Sequence, residues 1–346
     1  MVVLSLFDGI SCGYLALQRA GIRIDKYFAS EIEPNAIKVA LKNHPDIIEI
    51  GDVRKVSYKD GTLFTELGSY AVGTIDLVCG GSPCTNFSSI GYANGMLSGN
   101  TEILSLTQYK KLKSQEVTFE GQSYLFWEFC RILKEVKPKF FLLENVVMAK
   151  KWEAIITRAL GIKPIKIDSA LVSAQRRPRL YWTNIKGIDQ PKDKQIILDD
   201  ILTEPKDSKD VSYCLTVQRS FPKLLSKYGY IPARFNAYNA SEIKQKACAL
   251  SRGSMITSSC ATLLFVKSNT GIHQVKNGLL NGIYPTKLDN GKYNLRKLTL
   301  TEIEHLQNLP DKYTELNSLS YQKRTAMIGN GWTVDVIAHI FSHIEV

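Results

Sequence analysis

The chain has 346 residues, of which 44% are hydrophobic and 22% are charged. This composition predicts a soluble globular protein with one large lobe and one smaller lobe. No apolar run approaches the ~18 residues of a membrane span, and the start, MVVLSLFDG, lacks a basic leader, so we expect a cytoplasmic protein. Seven cysteines without a CxxC pair or a nearby histidine cluster argue against a disulfide framework and a zinc site, and we expect no metal.

The first 185 residues alternate short β-rich runs with helical patterns, which predicts βαβ units and a mainly parallel sheet. Helices are predicted at Gly13–Ala20 and Ser123–Val136, and another has Pro34 in its first turn. The predicted strands are Val2–Phe7, Lys26–Ser30, Ile47–Ile50, Thr74–Cys79, Lys139–Leu143, Ile165–Val172 and Leu180–Asn184.

The later part of the chain changes character after residue 186. Residues 187–296 scatter Gly, Asn, Ser and Lys among short apolar runs without a clear period, which predicts a loop-rich second domain. Regularity returns near Leu298, where Thr299 and Glu302 fit a capping box that opens a helix over Leu300–Asn308. We therefore predict a first domain of residues 1–186, a second domain of residues 187–296, and C-terminal helices of residues 297–346 that rejoin the first domain.

Most of the net charge of +11 lies in residues 211–296, which hold twelve Lys or Arg residues against Glu242 and Asp289. Nine aromatic residues lie among these cations, a mixture suited to phosphate contacts and base stacking. The alternative is a solvated basic face that binds no ligand. The aromatic residues are Tyr213, Phe221, Tyr228, Tyr230, Phe235, Tyr238, Phe265, Tyr284 and Tyr293.

A glycine turn, "LFDGISCG", joins the first predicted strand to the first helix at residues 6–13. Glu31 and Asp52 end the next two predicted strands at the same sheet edge. This pattern favours a nucleoside-shaped crevice, and because a G-x-G-x-x-G pyrophosphate binder is absent from the sequence, S-adenosylmethionine fits it better than NAD. The alternative is that these are ordinary polar strand ends.

A second set of polar residues predicts chemistry at the same edge. Cys84 follows Pro83 in "GGSPC", directly after a predicted strand, as expected of a nucleophile, although most cysteines are small core residues. Glu144 ends the apolar run "FFLLENV", where partial desolvation would raise its pKa and let it donate a proton. Arg177 and Arg179 of "QRRPR" are cations that lower the pKa of a nearby thiol.

These motifs resemble those of the C5-cytosine DNA methyltransferases. FDG, GGSPC, ENV, QRRPR and the C-terminal IGNGWTVDVI occur in the family's order and span nearly the whole chain. The sequences around FDG and GGSPC are similar to those of the animal de novo enzymes and their phage relatives. The resemblance implies a Rossmann-like α/β methyltransferase fold that uses S-adenosyl-L-methionine, with residues 187–296 as a target-recognition domain for double-stranded DNA in a bacterial or phage-infected cell.

The resemblance also implies a role for each matching residue. Cys84 would attack C6 of a flipped cytosine, Glu144 would hold and protonate N3, and Arg177 and Arg179 would contact O2 of the base. The implied cofactor pocket would be lined by Phe7, Asp8, Gly9, Ile10, Glu31, Asp52, Val53 and Leu125, with Asn330 and Trp332 closing it.

Two departures from the family pattern leave questions open. Ser11 and Cys12 replace the middle of the usual FxGxGG turn, so their part in cofactor binding is not assigned. The stretch from Thr85 to about Gly121 is predicted to be a long, functional, mobile loop with extra material around Met96–Thr118. An RNA methyltransferase and a catalytically silent DNA-binding protein remain as alternatives to an active DNA methyltransferase. The other cysteines are interpreted as packing residues.

Overall fold

The computed structural model describes residues 1–83, 96–98, 101–203, 221–236, 241–248 and 262–345. The chain divides into two compact units. The first unit comprises Met1–Asp168, Pro178–Pro191 and Val334–Val346, and the second comprises Ser169–Arg177 and Lys192–Thr333. Residues 297–333 thus belong to the second unit, whereas the sequence analysis expected them to rejoin the first domain. The assignment of functional domains stays a prediction.

Short strands and helices occur in both units. The strands are β1 (Val2–Leu6), β2 (Lys26–Ser30), β3 (Ile47–Glu49), β4 (Ser57–Lys59), β5 (Thr62–Thr65), β6 (Gly68–Ala71), β7 (Leu77–Gly81), β8 (Leu97–Ser98), β9 (Thr101–Glu102), β10 (Phe140–Val146), β11 (Ile165–Asp168), β12 (Gln175–Arg176), β13 (Pro178–Thr183), β14 (Arg234–Asn236), β15 (Ser241–Glu242), β16 (Ala247–Cys248), β17 (Thr262–Lys267), β18 (His273–Lys276), β19 (Leu279–Leu280), β20 (Tyr284–Pro285) and β21 (Gly291–Lys297). The helices are α1 (Cys12–Arg19), α2 (Pro34–Asn43), α3 (Leu106–Ser114), α4 (Phe126–Val136), α5 (Lys150–Leu160), α6 (Leu198–Ile201), α7 (Phe221–Tyr228), α8 (Leu300–Leu306), α9 (Tyr321–Asn330) and α10 (Val334–Phe341).

The first unit is built on a sheet with the strand order β11-β13-β10-β7-β1-β2-β3. Its neighbouring strands run parallel except that β13 is antiparallel to both β10 and β11. The strands read as nearly continuous apolar runs, as expected for a sheet covered on both faces. The predicted mainly parallel α/β fold is therefore confirmed, and it brings the carboxyl ends of β1, β2, β3, β7 and β10 to one edge.

Aromatic residues of α4 supply much of the core on one face of this sheet. Phe126, Trp127 and Phe129 are buried beside apolar residues of β1, β2, β7 and β10. The sequence stretch YLFWEF is thus part of the core rather than a surface for stacking. None of the described helices is long and apolar enough to cross a membrane.

The predicted strand over Ile165–Val172 is too long. Strand β11 ends at Asp168, and a 3-10 turn occupies Ser169–Leu171. The Ser169 amide donates to the Arg177 carbonyl at 3.3 Å, which turns the backbone out of the sheet. The β propensity of the sequence cannot show this, because the bond joins residues eight positions apart.

The prediction of a loop from Thr85 to about Gly121 is wrong for the described residues of its C-terminal half, which contain regular structure. Strand β9 and helix α3 lie in this segment, and Ile103, Leu106 and Tyr109 are buried against the core. The Tyr109 hydroxyl donates to Glu128 Oε1 of α4 at 2.5 Å. Helix α3 is therefore anchored to the first unit by both apolar and polar contacts.

The second unit contains a seven-stranded sheet with the order β15-β14-β17-β21-β18-β19-β20. Its neighbouring strands are antiparallel. The sequence pattern did not predict this sheet, because strands of two to seven residues are too short to give a clear period in the sequence. Helix α8 has the predicted capping box, with Thr299 Oγ1 accepting from the Glu302 amide at 3.1 Å.

Aromatic residues of the basic region form the core of this second unit. Phe221, Phe235, Phe265 and Tyr293 are buried together, and Tyr228 and Tyr284 pack against them. Phe221, Phe235, Phe265 and Tyr293 therefore stabilise the sheet and are not available for base stacking, which corrects the sequence interpretation for these four residues. Tyr213 and Tyr238 lie outside the described residues.

Candidate functional site

The turn after β1 is sharply bent at three alternate residues. Phe7, Gly9 and Ser11 have φ angles of 59°, 62° and 58°, in the left-handed region. A non-glycine residue adopts this conformation at a cost of about 1–3 kcal/mol, so the surrounding structure must hold Phe7 and Ser11 in place. The Asp8 amide donates to the Ser30 carbonyl at 3.1 Å, which fixes the turn to the end of β2. The turn leads into α1, whose first-turn amides have no acceptor within the helix.

Asp8 holds this turn together from within. The Tyr27 hydroxyl donates to Asp8 Oδ1 at 2.6 Å, and the Ser11 hydroxyl donates to Oδ2. Burial raises the pKa of Asp8, although the hydrogen bonds from Ser11, Ser5 and Tyr27 act in the opposite direction. Ser11, which the sequence left unassigned, therefore positions Asp8.

Glu31 connects the turn to the end of β2. Its Oε2 atom accepts the Gly9 amide at 2.8 Å, and Oε1 accepts the amides of Ile32 and Glu33 at 2.8 and 2.9 Å. Burial raises the pKa of Glu31 despite these donors. A carboxylate has about four acceptor positions, so Glu31 retains capacity for a further hydrogen bond.

Asp52 is paired with Arg54, a partner that the sequence interpretation did not identify. The Arg54 amide donates to Oδ1 at 2.9 Å, and Arg54 Nη2 donates to Oδ2 at 2.5 Å. Burial raises the pKa of Asp52, but the hydrogen bonds from Arg54 outweigh it and lower the pKa overall. Asp52 therefore stays ionised, and Val53, which is buried, begins the 3-10 turn that carries Arg54.

Glu49 is a further acidic residue at this edge and was missed by the sequence interpretation. It is the last residue of β3 and pairs with Ala29 of β2. Both of its carboxylate oxygens are buried and have no hydrogen-bond partner among the described residues. Burial, with repulsion from Asp8 and Glu31, raises the pKa of Glu49 to about 8.

Two of the implied pocket residues, Ile10 and Leu125, are apolar and are buried or partly buried.

The structure brings Glu144 and Arg179 together on adjacent strands. Arg179 Nε lies 3.1 Å from Glu144 Oε1, and the two side chains are only 14% and 12% exposed. Strands β10 and β13 are antiparallel with Glu144 opposite Tyr181, which sets Arg179 diagonally across from Glu144. A planar guanidinium beside a carboxylate fixes the orientation of that carboxylate.

Asn145 of β10 is hydrogen-bonded to Ser82, which lies two residues before Cys84. It is 1% exposed, and its Nδ2 donates to the carbonyl and the hydroxyl of Ser82 at 3.2 and 3.1 Å. Its Oδ1 accepts the Val146 amide at 2.8 Å. Cys84 itself lies outside the described residues. Asn145 therefore holds Ser82 just after the end of β7, a contact that the sequence interpretation did not identify.

Arg177 lies in the second unit, where it holds the end of α9. Its guanidinium is buried and donates to the carbonyls of Gly329 and Gly331 at 2.9 and 3.0 Å. These two residues flank Asn330, one of the two residues expected to close the cofactor pocket. The conformation of the segment that leads to Trp332 therefore depends on Arg177.

The site residues lie within matches to a known family. Residues 1–155 and 171–346 match the family described as C-5 cytosine-specific DNA methylase. The chain belongs to this family. The match covers both Glu144 and the arginines of QRRPR, so the resemblance inferred from the motifs is confirmed.

Individual relatives of the chain are named as methyltransferases. The orphan methyltransferase M.SPRI of Bacillus phage SPR is 29% identical over 247 residues, covering 64% of this chain and 48% of the relative. The orphan methyltransferase M.Rho11sI of Bacillus phage rho11s is 32% identical over 198 residues, covering 53% of this chain and 33% of the relative. The chain therefore spans about half or less of the length of these curated relatives.

Solved structures of methyltransferases share the fold. The S. pombe Dnmt2 methyltransferase has a TM-score of 0.60 at 17% identity, with 99% of this chain and 97% of that chain covered. The Entamoeba histolytica methyltransferase EhMeth has a TM-score of 0.66 at 15% identity over the same shares. Both results support the Rossmann-like assignment of the first unit.

Three other cysteines of this family member are buried packing residues. Cys12, Cys79 and Cys130 are at most 4% exposed, as the packing interpretation predicts. Burial raises the pKa of Cys79 to about 12 and also raises that of Cys130, so neither forms a thiolate at neutral pH.

Proposed function

We propose that this protein is a DNA (cytosine-5)-methyltransferase that transfers a methyl group from S-adenosyl-L-methionine to C5 of a cytosine flipped out of duplex DNA. The observation that carries the proposal is the arrangement at the carboxyl ends of β7 and β10. There, Glu144 is oriented by Arg179, and Asn145 binds Ser82, two residues before Cys84.

In the proposed reaction, the Cys84 thiolate forms a bond to C6 of the cytosine. Electron density moves from the C5–C6 double bond towards N3, where Glu144 donates a proton, and C5 becomes nucleophilic. After C5 is methylated, with S-adenosyl-L-homocysteine as the leaving group, a base removes the C5 proton and the bond from sulfur to C6 breaks to return the thiolate. The N3 proton then returns to Glu144. Taking the base out of the helix costs a few kcal/mol, which contacts with the extruded base must offset.

The residues around the glycine turn fit S-adenosyl-L-methionine, which supplies an electrophilic methyl group when bound. The left-handed turn of Phe7, Gly9 and Ser11 lets a ligand approach the backbone closely, and Glu31 has remaining acceptor capacity for ribose hydroxyls. The acidic character of this edge suits a ligand that carries positive charge. Asp52 enters the proposal as an ionised carboxylate already paired with Arg54.

In this proposal the second unit binds the duplex, and the enzyme works where DNA is accessible, in the cytoplasm of a bacterial or phage-infected cell. Support comes from the lysines of residues 221–292, which are exposed in the described part of this unit apart from Lys246. Such groups bind phosphates without reading the sequence.

The decisive experiment compares wild type with Cys84→Ser. Labelled methyl groups from S-adenosyl-L-methionine are expected to enter duplex DNA only with the wild type, while both proteins bind DNA. Wild type should also form a covalent adduct with duplex DNA that contains 5-fluorocytosine, because fluorine at C5 prevents the elimination that frees the enzyme. Cys260→Ser serves as the matched control and should retain both activities.

Methyl transfer by Cys84→Ser at the wild-type rate would contradict the proposed nucleophile. A parallel reaction with bulk tRNA separates the RNA methyltransferase alternative, because incorporation into tRNA but not duplex DNA would overturn the substrate assignment. Bisulfite sequencing of plasmid from a host that expresses the chain would then identify the target sequence.

A further inference from the structure

Two of the five histidines lie one helical turn apart at the end of the chain. His339 is in α10, which ends at Phe341, and His343 lies in the turn that follows, where its Nδ1 contacts the His339 carbonyl oxygen. Their ring centroids are 5.0 Å apart with an angle of 79° between the planes.

An acidic side chain from a distant part of the sequence completes this group. Asp189 follows β13, and its Oδ1 atom lies 3.3 Å from His339 Nε2 and 3.6 Å from His343 Nε2. The three candidate ligand atoms all lie within 4.8 Å of one another. Ligands bound at 2.0–2.1 Å in a tetrahedral zinc site are about 3.4 Å apart, so the two N···O separations match that geometry.

Hydrogen bonding already orients one imidazole for metal binding. His343 Nδ1 lies 2.9 Å from the His339 carbonyl oxygen, which only accepts, so Nδ1 carries the proton. The lone pair of the neutral ring is then on Nε2, the atom that faces Asp189. A second nitrogen that donates to a backbone carbonyl is the usual outer support of a metal-bound histidine.

The loop that carries Asp189 is fixed at both ends. Asn184 Oδ1 accepts the Phe141 amide at 2.8 Å, and Gln190 Nε2 donates to the Lys166 carbonyl at 3.0 Å. Gly187 has a φ of 75°, which turns the loop back towards His343. These contacts hold the Asp189 backbone near α10 although the Asp189 side chain is 77% exposed.

We propose that Asp189, His339 and His343 form a binding site for one divalent transition-metal ion, above all Zn²⁺. Two imidazoles and one carboxylate are a ligand set that Zn²⁺ accepts, and solvent would supply a fourth ligand. His339 Nε2 also lies 3.0 Å from the Asp189 carbonyl, and the ion would replace the proton shared there. The site is at the opposite edge of the sheet from Glu144, because β13 leaves the sheet next to the first residues of β10.

The bound ion would link the exit of β13 to the C-terminal helix and thereby stabilise the first unit. Helix α10 packs against α1, and Asp335 of α10 pairs with Arg19 at 2.6 Å. Without a metal, the contacts between Asp189 and the two histidines are partly exposed, and such contacts contribute little to stability. The methyl transfer proposed above assigns no role to these residues.

The test is a calorimetric titration of the tag-free full-length chain with Zn²⁺, with melting temperatures measured in parallel. We expect one Zn²⁺ per chain at low-micromolar concentration and a higher melting temperature with Zn²⁺ than with Mg²⁺. His339→Ala and His343→Ala should each weaken binding at least about tenfold, the lower end of what loss of even an outer-shell partner costs. Asp189→Asn should also weaken binding.

Two controls separate this site from other zinc ligands. His305 lies 2.6 Å from Asp311, but among the described residues this pair has no third candidate metal ligand. The His305→Ala variant should therefore bind Zn²⁺ as wild type does. Cys84→Ser should also bind Zn²⁺ normally, and Co²⁺ bound to it should show no thiolate charge-transfer band. Binding that is not saturable, or that persists unchanged in the His339→Ala/His343→Ala double variant, would overturn the proposal.

Discussion

At the level of single residues, Glu49 and Glu31 show how donors decide the state of a buried carboxylate. Glu31 accepts three backbone amides, whereas Glu49 has no hydrogen-bond donor among the described residues. A buried carboxylate without donors is more stable when protonated. With a pKa of about 8, Glu49 is mostly uncharged at neutral pH, which limits the negative charge beside Asp8.

Replacement of Glu49 by glutamine is expected to remove a pH-dependent loss of stability. Because the pKa of Glu49 is higher in the folded chain than its ordinary value of 4.5, its stabilising effect is complete below about pH 4.5. That effect is lost as the pH rises through about 8. Above pH 8, Glu49→Gln should therefore be more stable than wild type, by at most a few kcal/mol at about 1.4 kcal/mol per pKa unit.

Melting temperatures of both proteins between pH 5.5 and 9 provide the measurement. Comparison with wild type isolates Glu49, because Asp8 and Glu31 are unchanged in the variant. Glu120→Gln, at an exposed position, is the matched control and should follow wild type at every pH. Parallel melting curves for wild type and Glu49→Gln would contradict the assigned pKa.

At the level of elements, helix α3 depends on a buried carboxylate of α4. Glu128 is fully buried and binds the Tyr109 hydroxyl, Lys113 and Arg131, at 2.5, 2.5 and 2.6 Å. Tyr109→Phe removes one hydrogen-bond donor while keeping the ring, so we expect the free energy of unfolding to fall by about 1–3 kcal/mol. Hydrogen exchange of the α3 amides should become faster than in wild type.

The matched control for this change is Tyr58→Phe. The Tyr58 hydroxyl donates to the Gly73 carbonyl at 2.5 Å in an exposed position. Removing this hydroxyl should therefore change the free energy of unfolding by no more than about 0.5 kcal/mol. Equal stability of Tyr109→Phe and wild type would mean that the Tyr109 hydroxyl does not contribute to holding α3.

The sequence predicts elements where local signals are strong and fails where distant contacts decide. Strand β2 and the capping box of α8 agree with prediction, since both follow from neighbouring residues. Helix α3 was missed because its burial depends on Glu128, and the second sheet was missed because its strands are short.

The same distinction applies to the candidate site. Motifs identify Glu144 and Arg179, but only the antiparallel pairing of β10 and β13 brings them together. Arg54 and Glu49 were missed because nothing in the sequence shows which acidic residue gains a cationic partner. The spacing of His339 and His343 was a usable signal, yet Asp189 lies 150 residues before His339 and no local pattern connects them.

At the level of the whole molecule, the basic residues of the second unit divide into structural and exposed groups. Arg234 pairs with Asp199, Arg296 pairs with Glu302 at 2.8 Å, and Lys246 donates to backbone carbonyls of Ala170, Ser173 and Ile196. These three residues are therefore committed to the fold. Within residues 221–292, the exposed lysines of the described part of this unit are Lys223, Lys227, Lys244, Lys267, Lys276, Lys287 and Lys292.

Lys276 and Lys292 offer the clearest test of duplex binding by this charge. Gln274 pairs with Lys292, so Lys276 and Lys292 lie on the sheet face opposite the aromatic core. If both bind phosphates, a Lys276→Ala/Lys292→Ala variant should bind duplex DNA more weakly, and the slope of log K against log salt should become shallower by roughly 0.9 per lost contact. Affinity measured at several salt concentrations gives both quantities. A Lys59→Ala/Lys163→Ala variant removes the same charge from exposed positions of the first unit and should keep the wild-type slope, whereas equal slopes for all three proteins would exclude this face from the DNA contact.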